Sequence, residues 1–336
     1  MVSLLEAACG HVAVRASDRL AGAHDASHYL LTPLAVATAD DAAGVGRILA
    51  AARTQRVPVT FRSGGTSLSG QAGTTGVLVD TRTGFRRITV LDDGARVRTQ
   101  PGATVRAVNA RLARFGRKLG PDPASEIACT IGGVVANNSS GMSCGTHANT
   151  YRTLESAVLV LPSGTVIDTG AADAASILRE REPHIHAGLE SLRDRVRSNA
   201  DSVAALRRLH LIKNTMGYGL NSFLDHDDPL KILEHLVIGS EGTLAFVAEA
   251  TFRTVAAPAH LATGLLIFEN LSDATAALPA LVGAGFATIE LMDAASLRVA
   301  QQDPEATPEL REVHVVDHAA LLVEHQTDSA ERLQSL

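Results

Sequence analysis

The spacing of hydrophobic positions over the first hundred residues alternates between helix and strand. An alanine-rich helix is predicted from the capping residues 38–41 through Arg53, because its apolar positions recur at helical spacing. Short apolar runs predict strands at residues 57–62, 76–80, 88–91 and 96–100. The turn Asp92–Gly94 would join the last two strands as a hairpin. We therefore expect a first α/β subdomain over residues 1–100.

Helix and strand signals continue to residue 256, and a second α/β subdomain is predicted over residues 101–256. Thr104 begins a predicted helix that Gly116 ends, and residues 183–196 form a predicted amphipathic helix. Further strands are predicted at residues 156–161, 165–168, 236–239 and 244–252.

The pattern changes again past Pro258, which predicts a third unit over residues 257–336. Its predicted elements are strands at 264–268, 287–291 and 319–324 and a helix at 272–282. So few strands would leave open sheet edges, so we expect this unit to be a partial substrate or cap domain.

Composition narrows the class of protein. Of 336 residues, 46% are hydrophobic and 20% are charged, which excludes a disordered chain. The net charge of −6 and an aromatic content of 3% argue against nucleic-acid binding. The three cysteines are too few for a disulfide framework, and no signal peptide or transmembrane segment is evident. A cytoplasmic protein is expected, with peripheral attachment to the inner membrane through partners as the alternative.

The most informative segment is Arg62–Gln71, which follows a predicted strand. Its glycines permit close backbone approach, so that consecutive N–H groups can converge on an anion. The segment is neither a G-x-G-x-x-G motif nor a Walker loop, since it contains no Gly-Lys-Ser/Thr. An ordinary surface loop is the alternative for this segment taken alone.

Two further glycine-rich segments follow. Gly120–Ser125 leads to Thr130–Gly141, which has an apolar run but is poor helix or sheet material, so we expect it to wind through the interior. Buried backbone of this kind needs hydrogen-bond partners, which a large polar ligand with a ring system could supply. Ile238–Leu244 is a glycine turn between predicted strands.

Together these segments resemble the FAD-binding domain of the vanillyl-alcohol oxidase and p-cresol methylhydroxylase (PCMH) superfamily. The chain is most similar to its D-2-hydroxyacid dehydrogenase branch, which includes D-lactate dehydrogenases, glycolate oxidase D subunits and D-2-hydroxyglutarate dehydrogenases. The resemblance extends over residues 20–325 and rests on Asp25–Tyr29, Arg62–Gln71, Pro121–Ser125, Thr130–Gly141 and Gly239–Leu244. Lys213–Leu220 and Glu290–Asp293 resemble long bacterial oxidases that fuse this flavin module to an iron–sulfur module.

The resemblance implies an α+β fold, with a PCMH-type FAD-binding fold of two α/β subdomains plus a truncated ferredoxin-like cap domain. The FAD-binding residues that it implies are Arg62, Ser63, Gly64, Gly65, Thr66, Ser67, Gly70, Gln71, Pro121, Asp122, Ala124, Ser125, Thr130, Gly132, Gly133, Asn137, Asn138, Ser139, Gly141 and Ile238. Residues 63–67 would hold the pyrophosphate and residues 70–71 would line the flavin side. The group from Pro121 to Gly141 would pass the isoalloxazine and ribityl chain, with Ile238 near the adenine.

The same resemblance bears on how the flavin is held. Covalent relatives often carry a histidine at the loop position that Thr66 occupies here, so non-covalent FAD is expected. Cys129 and Cys144, beside the flavin-binding stretch, are expected to be small buried thiols. An iron–sulfur cluster would require cysteines in a module absent from this chain.

Oxidation of a 2-hydroxyacid needs a cation for the carboxylate and a base for the hydroxyl. In this branch the base is often a histidine aided by a metal held in a later His-rich motif, and that motif is absent from these 336 residues. The catalytic residues therefore stay unassigned, with Lys213, Asn214 and Tyr218 as candidates; a solvated Lys213 and a packed Tyr218 are the alternatives. The missing motif and the partial last unit predict a fragment.

No metal site is predicted. The histidine pairs His184/His186 and His314/His318 have no third ligand at a fixed spacing, so structural or surface roles are favoured.

The predicted function is an FAD-dependent oxidoreductase that oxidises a D-2-hydroxyacid, such as D-lactate or D-2-hydroxyglutarate, to the 2-oxoacid. Its expected partners are this small substrate and an iron–sulfur module or other electron acceptor. Three alternatives stay open: an FAD-binding fragment without activity of its own, another flavin reaction such as that of an enolpyruvyl-sugar reductase, and a nucleotide- or anion-binding module without flavin. The sequence leaves the particular hydroxyacid and the oligomeric state open.

Overall fold

The computed structural model describes residues 2–9, 11–215 and 217–334, and the chain divides after Ala256 into two compact units. The helices of the first unit are α1 (Val2–Ala8), α2 (Ala16–Ala21), α3 (Ala42–Gln55), α4 (Val105–Leu112), α5 (Ile131–Ala136), α6 (Thr150–Thr153), α7 (Ala174–Arg181), α8 (Pro183–Arg197), α9 (Ala200–Leu209), α10 (Ser222–Asp225) and α11 (Pro229–Val237). Its strands are β1 (His11–Ala13), β2 (Ala35–Thr38), β3 (Val59–Arg62), β4 (Val77–Asp80), β5 (Ile88–Leu91), β6 (Arg96–Thr99), β7 (Arg117–Leu119), β8 (Leu154–Val160), β9 (Val166–Asp168) and β10 (Phe246–Ala256).

The first sheet of this unit has the strand order β1-β2-β4-β3, with β2, β4 and β3 parallel and β1 antiparallel. The helix α3 connects β2 to β3 and begins where Asp41 accepts a hydrogen bond from the Gly44 N–H at 2.7 Å. Val45 and Ile48 are its fully buried apolar residues. Because β3 ends at Arg62, the Arg62–Gln71 segment leaves the carboxyl edge of the parallel strands, where α/β sheets commonly bind ligands.

The second sheet is antiparallel and has the order β5-β6-β10-β8-β9, with β7 also paired to β10. The hairpin β5–β6 forms as predicted, and both strands belong to this sheet although they precede residue 100. Phe246 and Ala248 of β10 share a buried cluster with Val77 and Val79 of β4, so the two sheets pack against each other. The boundary at residue 100 within this unit stays a prediction.

Two local predictions differ from the structure. Residues 236–239 are not a strand: α11 continues through Val237, with Pro229 in its first turn and Asp228 as the N-cap. Its buried Leu230 and Ile232 pack in the main core, which outweighs the strand propensity of the run that follows. The segment 130–141, expected to lack helix, contains the short helix α5, whose Ile131, Val134 and Val135 are buried.

The second unit is a three-stranded antiparallel sheet of order β11-β13-β12 with helices. Its elements are β11 (His260–Phe268), α12 (Leu271–Gly283), β12 (Thr288–Met292), α13 (Ala294–Ala300), α14 (Pro308–Glu312), β13 (Ala319–Thr327) and α15 (Ala330–Gln334). Ala274 of α12 is buried with Ala319, Leu321 and Val323 of β13. Across both units, no helix of the described residues is long and apolar enough to cross a membrane.

Candidate cofactor-binding site

A cavity of about 570 Å³ lies in the first unit, within the size range of small-molecule and cofactor sites. Three chain segments meet in its wall: the loop after β3, the stretch around α5, and the glycine turn before β10. Phe61 of β3 and Phe246 of β10 add an apolar surface, with ring centroids 4.7 Å apart. The cavity thus combines polar backbone with a small aromatic wall.

The loop after β3 presents free backbone donors. Among the described residues, none of the N–H groups from Gly65 to Ala72 donates to a protein acceptor. The loop is braced from behind, since the Gly65 carbonyl accepts from the Ala26 N–H at 2.9 Å. The Tyr29 ring also lies so close to Gly70 that a Cβ there would be 2.6 Å from it. Consecutive unpaired amides of this kind form a cradle for anionic or carbonyl oxygens.

Thr130 connects this loop to the second glycine-rich segment. Its hydroxyl accepts from the Gly64 N–H at 2.9 Å and donates to the Ser63 hydroxyl, which donates in turn to the Pro101 carbonyl at 2.6 Å. Gly64 must be glycine at this crossing, because a Cβ would lie 2.6 Å from the Ala128 carbonyl oxygen. Close packing at Gly64 and the hydrogen bonds of Thr130 therefore both hold the start of the loop in place.

The helix α5 joins the cavity to the glycine turn. At its C-terminal end the carbonyls of Val135 and Ala136 accept from the N–H groups of Gly239, at 3.0 Å, and Glu241, at 2.9 Å. A Cβ on Gly133 would meet no atom within 4 Å, so this glycine leaves space on the cavity side of the helix. The turn is thus held by carbonyls at the C-terminal end of a helix.

Glu241 is the only charged side chain among the described residues that line the cavity. Burial raises the pKa of this carboxyl group, and a hydrogen bond with Gln71 opposes that rise. Gln71 accepts a hydrogen bond from the Ser67 hydroxyl, which ties the turn to the loop. The neighbouring Ser240 is 3% exposed, and its hydroxyl has no hydrogen-bond partner among the described residues. A buried hydroxyl without a protein partner needs a hydrogen bond from a ligand or from an ordered water.

The structure brings twelve of the predicted FAD-binding residues to the cavity wall. They are Ser63, Gly64, Gly65, Thr66, Ser67, Gln71, Ser125, Thr130, Gly132, Gly133, Asn137 and Ser139. The remaining predicted residues are not among the described lining residues, and they are Arg62, Gly70, Pro121, Asp122, Ala124, Asn138, Gly141 and Ile238.

Several of these non-lining residues support the wall from behind. Asp122 and Gly141 form an isolated parallel bridge, in which a Cβ on Gly141 would lie 2.2 Å from the Asp122 carbonyl oxygen. Asn138, at φ +48°, accepts from the Tyr151 N–H at 3.2 Å. Ile238 is 0% exposed and belongs to the main core, because it directly follows the buried helix α11.

The candidate catalytic residues lie outside the described cavity lining. Lys213 is exposed, and its Nζ donates to the Gly141 carbonyl at 2.8 Å. The Asn214 carbonyl accepts from the Asn138 side chain at 3.3 Å, and the Tyr218 hydroxyl lies 2.8 Å from the hydroxyl of Thr243, which does line the cavity. Met216, within the same predicted motif, lies outside the described residues.

Neither histidine pair forms a metal-binding group. His186 Nδ1 lies 3.4 Å from Glu190, and His318 Nδ1 accepts from the Val316 N–H at 3.2 Å. In the described parts of the chain, no three histidine, cysteine or acidic side chains are placed to hold a metal ion. Cys129 and Cys144 are buried free thiols, and burial raises both pKa values, that of Cys144 to about 11.

Sequence reasoning missed several lining residues. Ser240, Glu241, Gly242 and Thr243 line the cavity, although only Ile238 was assigned from their motif. The signal that could have found them is the glycine turn itself, where Glu241 adopts φ +51° and Gly242 φ +74°. A left-handed backbone conformation is uncommon for glutamate, and such strained residues cluster at functional sites.

Residues 33–170 match the model of the FAD binding domain family. The D-2-hydroxyglutarate dehydrogenase of Haemophilus influenzae is 26% identical over 302 residues, which cover 88% of this chain and 29% of that protein. The glycolate oxidase subunit GlcD of Escherichia coli K12 is 40% identical over 121 residues, covering 35% of this chain and 24% of that subunit. The family resemblance read from the motifs is confirmed. The chain spans less than a third of either relative.

Solved structures agree at the level of fold. An alkyldihydroxyacetonephosphate synthase structure matches with a TM-score of 0.64 and 16% identity, covering 95% of this chain and 53% of that chain. The expected α+β fold is thereby confirmed, and the chain shares the fold of that structure. FAD also fits the residues present, because the cavity offers unpaired amides at residues 65–72 and an orphan hydroxyl at Ser240. These donors are the groups that a flavin dinucleotide needs for its diphosphate and polar edges.

Proposed function

We propose that this chain binds FAD non-covalently and is the flavin-binding part of an oxidoreductase that converts a D-2-hydroxyacid to the 2-oxoacid. The observation that carries the proposal is the run of backbone amides without a protein acceptor at residues 65–72, in a loop whose residues other than Gly70 line the cavity, together with the match to the FAD binding domain family. D-2-hydroxyglutarate and D-lactate are the proposed substrates, because relatives bear the names of dehydrogenases for these acids.

The chemistry divides between cofactor and chain. When bound, FAD would accept the hydride that leaves the substrate α-carbon. The residues of this chain bind and orient: the amides of residues 65–72 would hold the diphosphate, and the Ser240 hydroxyl would complete a hydrogen bond it lacks within the described chain. Phe61 and Phe246 exclude water from one side of the cavity.

We propose that FAD is held non-covalently, because the residues that line the cavity offer no suitable nucleophile. Thr66 carries no nucleophile suited to a flavin carbon, and the described lining holds no histidine, lysine or tyrosine. Cys129 is the one thiol in that lining, and burial raises its pKa, which keeps it protonated and unreactive. Acid precipitation of the holoprotein would therefore leave all flavin in the supernatant, whereas flavin in the pellet would contradict non-covalent binding.

The described cavity wall also lacks a cation for the substrate carboxylate, since Glu241 is its only charged side chain. We propose that the cation for the substrate carboxylate and the electron acceptor, an iron–sulfur module or another protein, lie outside this wall. This observation favours a second candidate: a flavin-binding fragment with no activity of its own. Such a fragment would hold FAD without oxidising a hydroxyacid.

The test is the visible absorption spectrum of the purified chain after addition of FAD and gel filtration. Retained flavin bands at one equivalent would support the proposal, and a folded protein that retains none would contradict it. The holoprotein is then mixed anaerobically with D-lactate or D-2-hydroxyglutarate, with the L-enantiomers as controls. Bleaching by a D-acid alone supports the oxidoreductase, and retained colour with every acid supports the inactive fragment.

A further inference from the structure

Arg62 is a buried cation whose guanidinium, within the described parts of the chain, donates only to backbone carbonyls. The residue is 5% exposed and lies at the end of β3. Its Nε and Nη2 donate to the Ala72 carbonyl at 3.0 and 2.6 Å, and its Nη1 donates to the carbonyls of Gly22, at 2.7 Å, and His24, at 2.6 Å. Arg62 and Ala72 flank residues 63–71, so one side chain ties both ends of the amide loop together.

The charge of this guanidinium is only weakly opposed. The Arg62 guanidinium donates to no carboxylate among the described residues; the charges that act on it are those of Asp25 and Asp80, with the charge of Arg82 opposing them. The Asp25 Oδ1 accepts from the Ser27 N–H at 2.8 Å, while its buried Oδ2 has no partner in the described chain. Burial lowers the pKa of Arg62, but an arginine starts so high that it stays charged near neutral pH.

The charged side chain of Arg62 lies next to a residue that lines the cavity. A Cβ built on Gly65, which lines the cavity, would lie 3.6 Å from Arg62 Cδ. The described lining holds no lysine, arginine or histidine, and its one charged group, Glu241, is an acid. The Asp25 Cβ lies 3.8 Å from that built Gly65 Cβ, so Arg62 supplies positive potential beneath the loop and the Asp25 carboxylate partly offsets it. In a partly buried site such a charge acts through a low effective dielectric, and its effect extends beyond contact distance.

We propose that Arg62 is a positioning residue that strengthens binding of the diphosphate group of a dinucleotide without touching it, by placing a buried positive charge behind the amides of residues 65–72. This inference rests on the proposed FAD binding. It assigns Arg62 a role different from that of a direct ligand. It also predicts that Asp25, by opposing the charge, weakens diphosphate binding.

The test compares FAD with riboflavin, which carries the same ring system without phosphates, by quenching of flavin fluorescence on the full chain. The variants are Arg62→Gln, Arg62→Lys and Asp25→Asn, and the matched control is Arg117→Gln. Arg117 also donates to a backbone carbonyl, that of Thr254 at 2.7 Å, but does not line the cavity. Thermal unfolding of each variant is recorded alongside, so that loss of fold is separated from loss of affinity.

The expected result is a loss of about tenfold or more in FAD affinity for Arg62→Gln and a smaller loss for Arg62→Lys, with riboflavin affinity unchanged. Asp25→Asn is expected to bind FAD more tightly, and Arg117→Gln to bind it as the wild type does. Equal losses for the Gln and Lys variants, parallel losses for riboflavin, or weaker FAD binding by Asp25→Asn would overturn the proposal. If Arg62→Gln does not fold, the Lys and Asn variants still decide it. A wild-type chain that binds no FAD would instead refute the proposed function.

Discussion

The Gly64 N–H donates to the Thr130 hydroxyl at 2.9 Å, and this bond joins two glycine-rich segments that are 66 residues apart in sequence. Both residues line the cavity. The bond holds the first turn of the amide loop against the start of α5, so that loop, helix and glycine turn form one wall. A ligand in the cavity would therefore contact elements that are already held in place.

Replacing Thr130 by valine tests this connection. Valine has nearly the same shape but cannot accept from Gly64 or donate to Ser63, so a partly buried amide loses its partner. The free energy of unfolding should fall by about 1–3 kcal/mol, and FAD retention should fall with it. Chemical denaturation and FAD titration measure the two effects. Thr263→Val, on the exposed part of β11, is the control and should change neither; a Thr130 variant that behaves like it would contradict the role of the bond.

Replacing each of two cavity-wall glycines by alanine should change the free energy of unfolding in opposite directions. Gly64→Ala places a Cβ 2.6 Å from the Ala128 carbonyl oxygen, and we expect it to lose about 1–3 kcal/mol of stability and most FAD binding. Gly133→Ala meets nothing within 4 Å inside a helix, so stability should rise by about 0.5–1 kcal/mol. Its methyl group nevertheless enters the cavity and should weaken FAD binding. Thermal unfolding and FAD titration separate the two; a Gly133 variant with unaltered FAD affinity would argue against a ligand at α5.

Local signals explain which parts of the fold were predictable from the sequence. The helix α3 and the hairpin β5–β6 form as expected, because a cap, a turn and a regular apolar spacing lie within a few residues of each other. The segment 236–239 was misjudged, because α11 is decided by burial of residues such as Ile232 in a core assembled from distant segments.

In the candidate site as well, local sequence signals located some residues, whereas others depended on contacts between distant segments. The loop of residues 62–71 could be located because its closely spaced glycines predict an irregular backbone conformation. The glycine turn marks Ser240 and Glu241 as candidates, but their place in the wall is fixed by hydrogen bonds from the turn to the end of α5, which the sequence does not show. Arg62 belonged to the recognisable motif, yet only the structure separates it from the lining residues.

The N-cap of α3 offers a prediction that isolates stability from binding. The Asp41 carboxylate accepts from the Gly44 N–H, and neither residue lines the cavity. Asp41→Ala should cost about 1 kcal/mol of stability, with FAD affinity unchanged. Asp41→Asn keeps an acceptor oxygen and should lose less. Chemical denaturation with and without FAD measures both effects. Reduced FAD affinity in the alanine variant would contradict the prediction, because it would mean that the N-cap of α3 influences the binding site.

Acid sensitivity should arise from a stacked pair of histidines, of which His235 is buried and His226 is half-buried. The rings of His226 and His235 lie 4.1 Å apart between centroids, and Tyr151 packs edge-on against His235 at 4.9 Å. Burial lowers the pKa of His226, and it lowers that of His235 from 6.5 to about 4. The His226 Nε2 is buried and has no hydrogen-bond partner among the described residues. Both rings are therefore neutral in the folded protein at neutral pH.

The sign of the pH dependence follows from these shifts. Between pH 6.5 and about 4 the unfolded chain binds a proton at His235 that the folded chain does not, so stability is full above 6.5 and falls as the pH is lowered. The loss should approach about 3 kcal/mol for His235 alone. Glu234, whose pKa burial raises, contributes in the opposite direction, so the comparison must be made between variants. His235→Phe keeps a ring against Tyr151 and should flatten the curve of unfolding free energy against pH, while His184→Phe, at an exposed position, should leave its slope unchanged. Parallel curves for the wild type and His235→Phe, measured by denaturation from pH 4 to 7, would contradict a buried neutral His235.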